Sequence, residues 1–187
     1  MKIVVAITAA SGQIYASQLL SLLVADEAVE RVAVVYSRRA VEVAEYEGVE
    51  LPQSPKIMRY ECDDMFASIA SGSAAWDSMA IVPCSVGTMS RIATGVSDSL
   101  ITRAADVMLK ERRRLVVVVR ETPLSLIHLR NMVSLTEAGA VVMPASPNFY
   151  GSHSDIDSLC MTLSSRVASM LGAVGNVEAW SGEKKSI

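Results

Sequence analysis

The chain has 187 residues, of which 51% are hydrophobic and 20% charged, with a mean hydropathy of +0.34. That is ample for a packed core and excludes a disordered chain. Lys and Arg total 17 against 20 Asp and Glu, the net charge is −3, and aromatics are 5%; this argues against general nucleic-acid binding, anionic membranes and base-stacking platforms.

The first element, Lys2–Thr8, is a nearly continuous apolar run. So are Arg31–Tyr36, Met79–Pro83, Leu115–Val119 and Ala140–Met143. Runs without alternation read as strands covered on both faces. Helix-period segments lie between and after them. Gln13–Ala25 places Ile14, Leu19, Leu22 and Leu23 on one side. Arg39–Glu47 is shorter and charged. Gly48–Arg59, with Pro52 and Pro55, reads as a loop. Ser99–Arg113, Ser125–Ala138 and Ser154–Leu171 complete the helices, and Trp180–Ile187 reads as a polar tail. The alternation predicts an α/β, three-layer, doubly wound, mostly parallel sheet. One domain is expected over residues 1–187, with its core at about 2–172.

No apolar run approaches the ~20 residues of a membrane span. Cys62, Cys84 and Cys160 lie far apart, in no metal or disulfide pattern, so a reduced, cytoplasmic setting is expected. The high apolar fraction also points to a sizeable interface between subunits.

Ligands of open α/β sheets bind outside the carboxyl ends of the strands. After the first strand comes Thr8-Ala9-Ala10-Ser11-Gly12. Small residues entering a helix let backbone N–H groups approach an anion; the alternative is an ordinary Ser11 N-cap. Ser37 follows the second strand as a cap or a ligand group. Cys84-Ser85-Val86-Gly87-Thr88 follows the third, with hydroxyls at a helix start. Cys84 itself reads as a buried structural thiol, since no His lies nearby in sequence to activate it. Arg120-Glu121-Thr122-Pro123 follows the fourth. Its Arg suits phosphate and its Glu a proton transfer, unless the two form only a local ion pair. After the fifth, a turn with Pro144 and Pro147 presents Phe149 and Tyr150. Arg103 and Lys110 lie seven residues apart on one helix face, about 10 Å along the axis, with Asp106 between them. A solvated charged face explains them equally well. Whether Arg166 joins them in an anion site is open.

Taken together, these motifs resemble the flavin prenyltransferases, the UbiX-type proteins formerly described as aromatic-acid decarboxylases. The resemblance rests on Pro83–Thr88, Arg103–Val107 with Leu109-Lys110-Glu111, Arg120–Leu124, Ile127-His128-Leu129 with Asn131-Met132, and Pro144–Tyr150, in family order. It spans about Ile3 to Leu171 and is densest over Pro83–Tyr150. It implies a flavodoxin-like or Rossmann-like subunit of a homododecamer, with no metal. The implied activity joins a dimethylallyl group from dimethylallyl monophosphate to N5 and C6 of reduced FMN. The product, prenylated FMN, serves UbiD-type decarboxylases. Carried over by motif, Ala9, Ala10, Ser11, Ser37, Ser85, Val86, Gly87, Thr88 and Arg120 line the FMN. Ser71, Gly72, Arg103, Lys110, Tyr150 and Arg166 meet the prenyl phosphate, some of them from neighbouring subunits. Ser11, Glu47, Lys110 and Glu121 are the implied catalytic groups, with Ser11, Glu121 and the retained phosphate as proton carriers. The chain departs from the family at Ala9, where Gly is usual, and near Met65-Phe66, where some members carry a Trp.

Two other readings compete. An FMN-dependent decarboxylase of cysteine peptides uses a His on the helix after the second strand, and Arg39–Glu47 has none. A flavin-binding or storage protein would bind FMN without turnover and would need no prenyl-phosphate cations.

Overall fold

The computed structural model describes residues 1–150 and 153–173. The expected polar tail, Trp180–Ile187, lies outside them. Six parallel strands form one sheet: β1 (Lys2–Ile7), β2 (Arg31–Tyr36), β3 (Ile57–Tyr60), β4 (Ser78–Cys84), β5 (Arg114–Val119) and β6 (Val141–Pro144). Their order is β3-β2-β1-β4-β5-β6. That is the Rossmann order, and it differs from the flavodoxin order.

The helices are α1 (Gln13–Ala25), α2 (Ala40–Tyr46), α3 (Val86–Ala93), α4 (Leu100–Lys110), α5 (Leu126–Glu137) and α6 (Ile156–Leu171). Side chains alternate across the sheet, as strand geometry requires. Ile3, Val5 and Ile7 pack with Leu19, Leu23, Leu163 and Val167 of α1 and α6. Val4 and Ala6 pack with Met89, Ala104 and Met108 of α3 and α4. Both faces of the central strands are therefore dry, which is why their sequences do not alternate. On α1 the core side runs through Ala16, Leu19, Leu20 and Leu23, while Ile14 and Leu22 are only partly buried.

Two elements differ from the sequence reading. The expected loop Gly48–Arg59 contains the start of β3, a four-residue edge strand whose pattern is half-buried. Its signal is short and follows two prolines, so only its pairing with β2 reveals it. The hydroxyl-bearing helix start at Ser85 opens a separate helix, α3, ahead of α4.

Helix starts are chemically specified. Ser99, Ser125 and Asp155 each close a capping box at the start of α4, α5 and α6. Among the described residues, no helix is long and apolar enough to cross a membrane.

Candidate active site at the strand ends

The strand order reverses between β1 and β4, so the crevice opens between the loops that follow them. Thr8 joins these loops. Its hydroxyl donates to the Pro83 carbonyl at 2.7 Å and accepts from the Ser85 N–H at 2.8 Å, and Thr8 is buried. Gln13, fully buried, turns its amide back on the loop and donates to the carbonyls of Thr8 and Ala10 at 2.9 and 2.7 Å. With these carbonyls drawn inward, the N–H groups of Ala10 and Ser11 meet no protein acceptor among the described residues. Sequence reasoning gave Thr8 and Gln13 no role. The signal was a polar residue inside an otherwise apolar packing pattern. Thr8→Val should lower stability by about 1–3 kcal/mol, because the Ser85 N–H loses its acceptor; urea unfolding measures this.

Ser11 does not cap α1. The N-cap is Gly12, in the left-handed region at φ 95°. The capping group arrives from a distance: the Glu47 carboxylate accepts from the N–H of Gly12 at 2.9 and 3.1 Å and of Gln13 at 2.8 Å. Thus the start of α1, read from sequence as a seat for a ligand anion, already holds the chain's own carboxylate. Ser37 accepts from the Ala9 N–H at 3.1 Å, which ties the β2 loop to the same turn.

Ser85 is the N-cap of α3, accepting from the Thr88 N–H at 3.3 Å and donating to the Thr88 hydroxyl at 3.1 Å. Behind it, Cys84 is fully buried and burial pushes its thiol up to about 12, so it is a structural thiol and no nucleophile. Beside Ser37 and Thr88 an open cleft of about 790 Å³ continues over Tyr36, Arg59 and Cys62.

Arg120 leaves β5 with its N–H on the Cys84 carbonyl at 3.1 Å. Its Nε is buried and meets no partner among the described residues. Glu121 is exposed and accepts from the Thr122 N–H at 3.0 Å, so the pair is not a closed local ion pair. Phe149 and Tyr150 stand out from the β6 loop. Asn148 fastens that loop to Thr162 of α6 at 3.2 Å, and Arg166 follows one turn later on the same helix face.

The remaining expected residues gather elsewhere. Arg103 donates from Nε to the Ala70 carbonyl at 3.1 Å and from Nη1 to Asp106 at 2.7 Å. Lys110 pairs with Glu111 at the end of α4. Arg103, Lys110, Ser71 and Gly72 therefore form one cluster. Lys110 lies four residues before the start of β5, whereas Glu121 follows its end. A six-residue strand separates them by about 20 Å. One subunit thus presents the expected residues as two separate clusters, one at each end of β5.

The strand-end half fits a flavin mononucleotide. Open backbone N–H groups, the Ser37, Ser85 and Thr88 hydroxyls and the orphaned Arg120 Nε meet the needs of a phosphate, ribityl hydroxyls and ring carbonyls. Ala9 leaves the approach open in place of the usual Gly, since it is not among the residues of positive φ. Among the described residues no Trp comes to the Met65-Phe66 turn; Phe66 is fully exposed there, and Trp76 is buried against Ser68.

Comparison with known proteins agrees with this geometry. The flavoprotein family matches residues 1–168. The flavin prenyltransferase UbiX of Thermoplasma acidophilum is 47% identical over 96% of this chain and 100% of its own. The crystal structure of AnUbiX (PadA1) in complex with FMN and dimethylallyl pyrophosphate superposes with a TM-score of 0.89 at 40% identity, covering 98% of both chains. A dodecameric FMN-dependent UbiX-like decarboxylase from Escherichia coli O157:H7 gives 0.87 at 34% identity over the whole of both chains. By family match, by near-complete coverage and by the Rossmann-ordered sheet with its strand-end crevice, this chain belongs to the flavoproteins and, within them, to the UbiX-type flavin prenyltransferases.

Proposed function

We propose that the protein transfers a dimethylallyl group from dimethylallyl monophosphate to reduced FMN, giving prenylated FMN for UbiD-type decarboxylases. The observation that carries this reading is the pairing of an open flavin cradle, Ala9–Ser11 with Arg120, and an exposed carboxylate, Glu121, directly after it. A storage protein needs the first and not the second. α2 holds no His, which disfavours the cysteine-peptide decarboxylase reading.

The bound flavin supplies nucleophilic N5 and C6 atoms. The protein holds and orients it and takes up the released proton. Ala9, Ala10, Ser11, Ser37, Ser85, Val86, Gly87, Thr88 and Arg120 bind the cofactor. Arg103, Lys110, Tyr150 and Arg166 stabilise the charge that grows on the departing phosphate, with Ser71 and Gly72 beside the prenyl group. Glu121 accepts a proton, with Ser11 within the same loop cluster. Glu47 acts by positioning: it holds Gly12 and Gln13 and so shapes the turn that presents Ala10 and Ser11.

The two half-sites on one subunit require a second copy to complete a site. We read the assembly as a homododecamer, like the relative from Escherichia coli. The whole chain acts as one flavoprotein domain, in the reducing cytoplasm, where its free cysteines are stable.

Anaerobic incubation of the protein with reduced FMN and dimethylallyl monophosphate tests the reading. A flavin heavier by one five-carbon unit supports it, and unmodified FMN with either the mono- or the diphosphate overturns it. Glu121→Gln should leave FMN affinity unchanged and slow prenylation about a hundredfold or more; single-turnover absorbance and a flavin titration separate the two.

A further inference from the structure

We propose that Glu111 and Arg113 are positioning residues for the prenyl-phosphate half-site, and that residue 72 is glycine because the Glu111 carboxylate fills the space of a side chain there. This rests on the reading that Lys110 and the Ser71-Gly72 turn meet the donor.

Four observations converge. First, two arginines grip the turn from both sides: Arg103 holds the Ala70 carbonyl at 3.1 Å and Arg113 holds the Gly72 carbonyl at 2.8 Å. Ser71 is fixed between them. Second, the Glu111 carboxylate bridges Lys110 and Arg113, the latter at 3.8 Å. Third, a Cβ on Gly72 would stand 2.3 Å from Glu111 Oε1, 2.7 Å from Cδ and 3.0 Å from Cγ. The backbone of Gly72 is not in the positive-φ region, so its conformation does not demand glycine; a side chain there would instead push the flexible Glu111 carboxylate from its place beside Lys110. Fourth, Arg112 sits at φ 56°, a left-handed turn that non-glycine residues seldom adopt. That turn separates Glu111 from Arg113, yet both reach the same glycine.

The consequence is a chain of positions. Gly72 leaves room for Glu111, Glu111 orients Lys110, and Arg113 locks the turn against which Glu111 rests. Lys110 in turn holds the Glu111 carboxyl below its usual range.

The test compares Glu111→Gln, Gly72→Ala, Glu111→Ala and the Gly72→Ala/Glu111→Ala pair in the FMN-loaded assembly. Inorganic phosphate binding is measured by calorimetry, and the KM for dimethylallyl monophosphate by steady-state kinetics. Glu111→Gln and Gly72→Ala should each weaken phosphate binding and raise KM about tenfold, with FMN affinity unchanged. The loss in both variants should fall on KM, with kcat changed far less. Gly72→Ala should add little once Glu111 is already Ala, because the clash is gone; contacts through a shared group are not additive. Additive losses, or an unchanged KM in Glu111→Gln, would overturn the inference and assign Gly72 to the donor directly. The phosphate titration needs no turnover. Its non-additive pattern, combined with absent prenylation by the parent protein, would refute the proposed function alone.

Discussion

Mixed assemblies of Lys110→Ala and Glu121→Gln subunits will prenylate FMN, although each variant assembled alone is nearly inactive. Lys110 ends α4 and Glu121 follows β5, at opposite ends of a strand about 20 Å long. A site that needs both groups must take them from different copies. Closed symmetry makes every such site equivalent. Random one-to-one mixing leaves both groups intact in about a quarter of the sites, and the rate should recover to about that fraction. Unfolding and reassembling the two variants together, then measuring the initial rate of prenylation, checks this. No recovery, with mixed assembly verified by mass, would place both groups in one subunit's site and contradict the half-site geometry.

The second large effect belongs to α5. Of its twelve residues only Leu135 is buried, while Leu126, Ile127, Leu129 and Val133 are 60, 68, 46 and 56% exposed. Leu126, Leu129 and Val133 follow helical spacing, so they form one apolar stripe. Single exposed apolar residues are ordinary, but a contiguous stripe marks an interface. Leu124 before the helix extends it, directly after Arg120-Glu121 and Pro123. Leu129→Asp should break the assembly into smaller species and abolish prenylation, since the half-sites part. The subunit itself should keep its secondary structure, because Leu129 lies outside both core clusters. Light scattering and circular dichroism separate the two effects. An intact assembly with full activity would show that this stripe is not a subunit contact.

Much of the architecture was legible because its physical causes are local. Uninterrupted Val, Ile and Ala runs mark strands buried on both faces; β1, β2, β4 and β5 are buried as that signature implies, whereas the edge strand β6 carries it and is only half-buried. α1 was read to the residue, Gln13–Ala25, from its amphipathic spacing. β3 was not legible. Four half-buried residues at a sheet edge carry no periodic signal, and their identity as a strand comes from hydrogen bonds to β2.

The candidate site divides in the same way. Its loops followed from strand order: residues after β1, β2, β4 and β5 converge because parallel strands end at one edge. The groups that shape those loops did not follow. Glu47 caps α1 across 35 residues of sequence, and no spacing rule announces it. Thr8 and Gln13 looked unremarkable until their partners, Pro83, Ser85 and the Thr8 and Ala10 carbonyls, came into reach.

By itself, then, the amino-acid sequence determined the layers, the crossovers and the edge at which chemistry occurs, because burial pattern and chain connectivity decide those. Only the tertiary structure decided that Arg103 and Lys110 stand with Ser71 and Gly72 rather than with Arg120 and Glu121. That choice depends on the Ser71-Gly72 turn, distant in sequence, meeting the helix and the turn after it through Arg103 and Arg113, contacts that no local pattern announces.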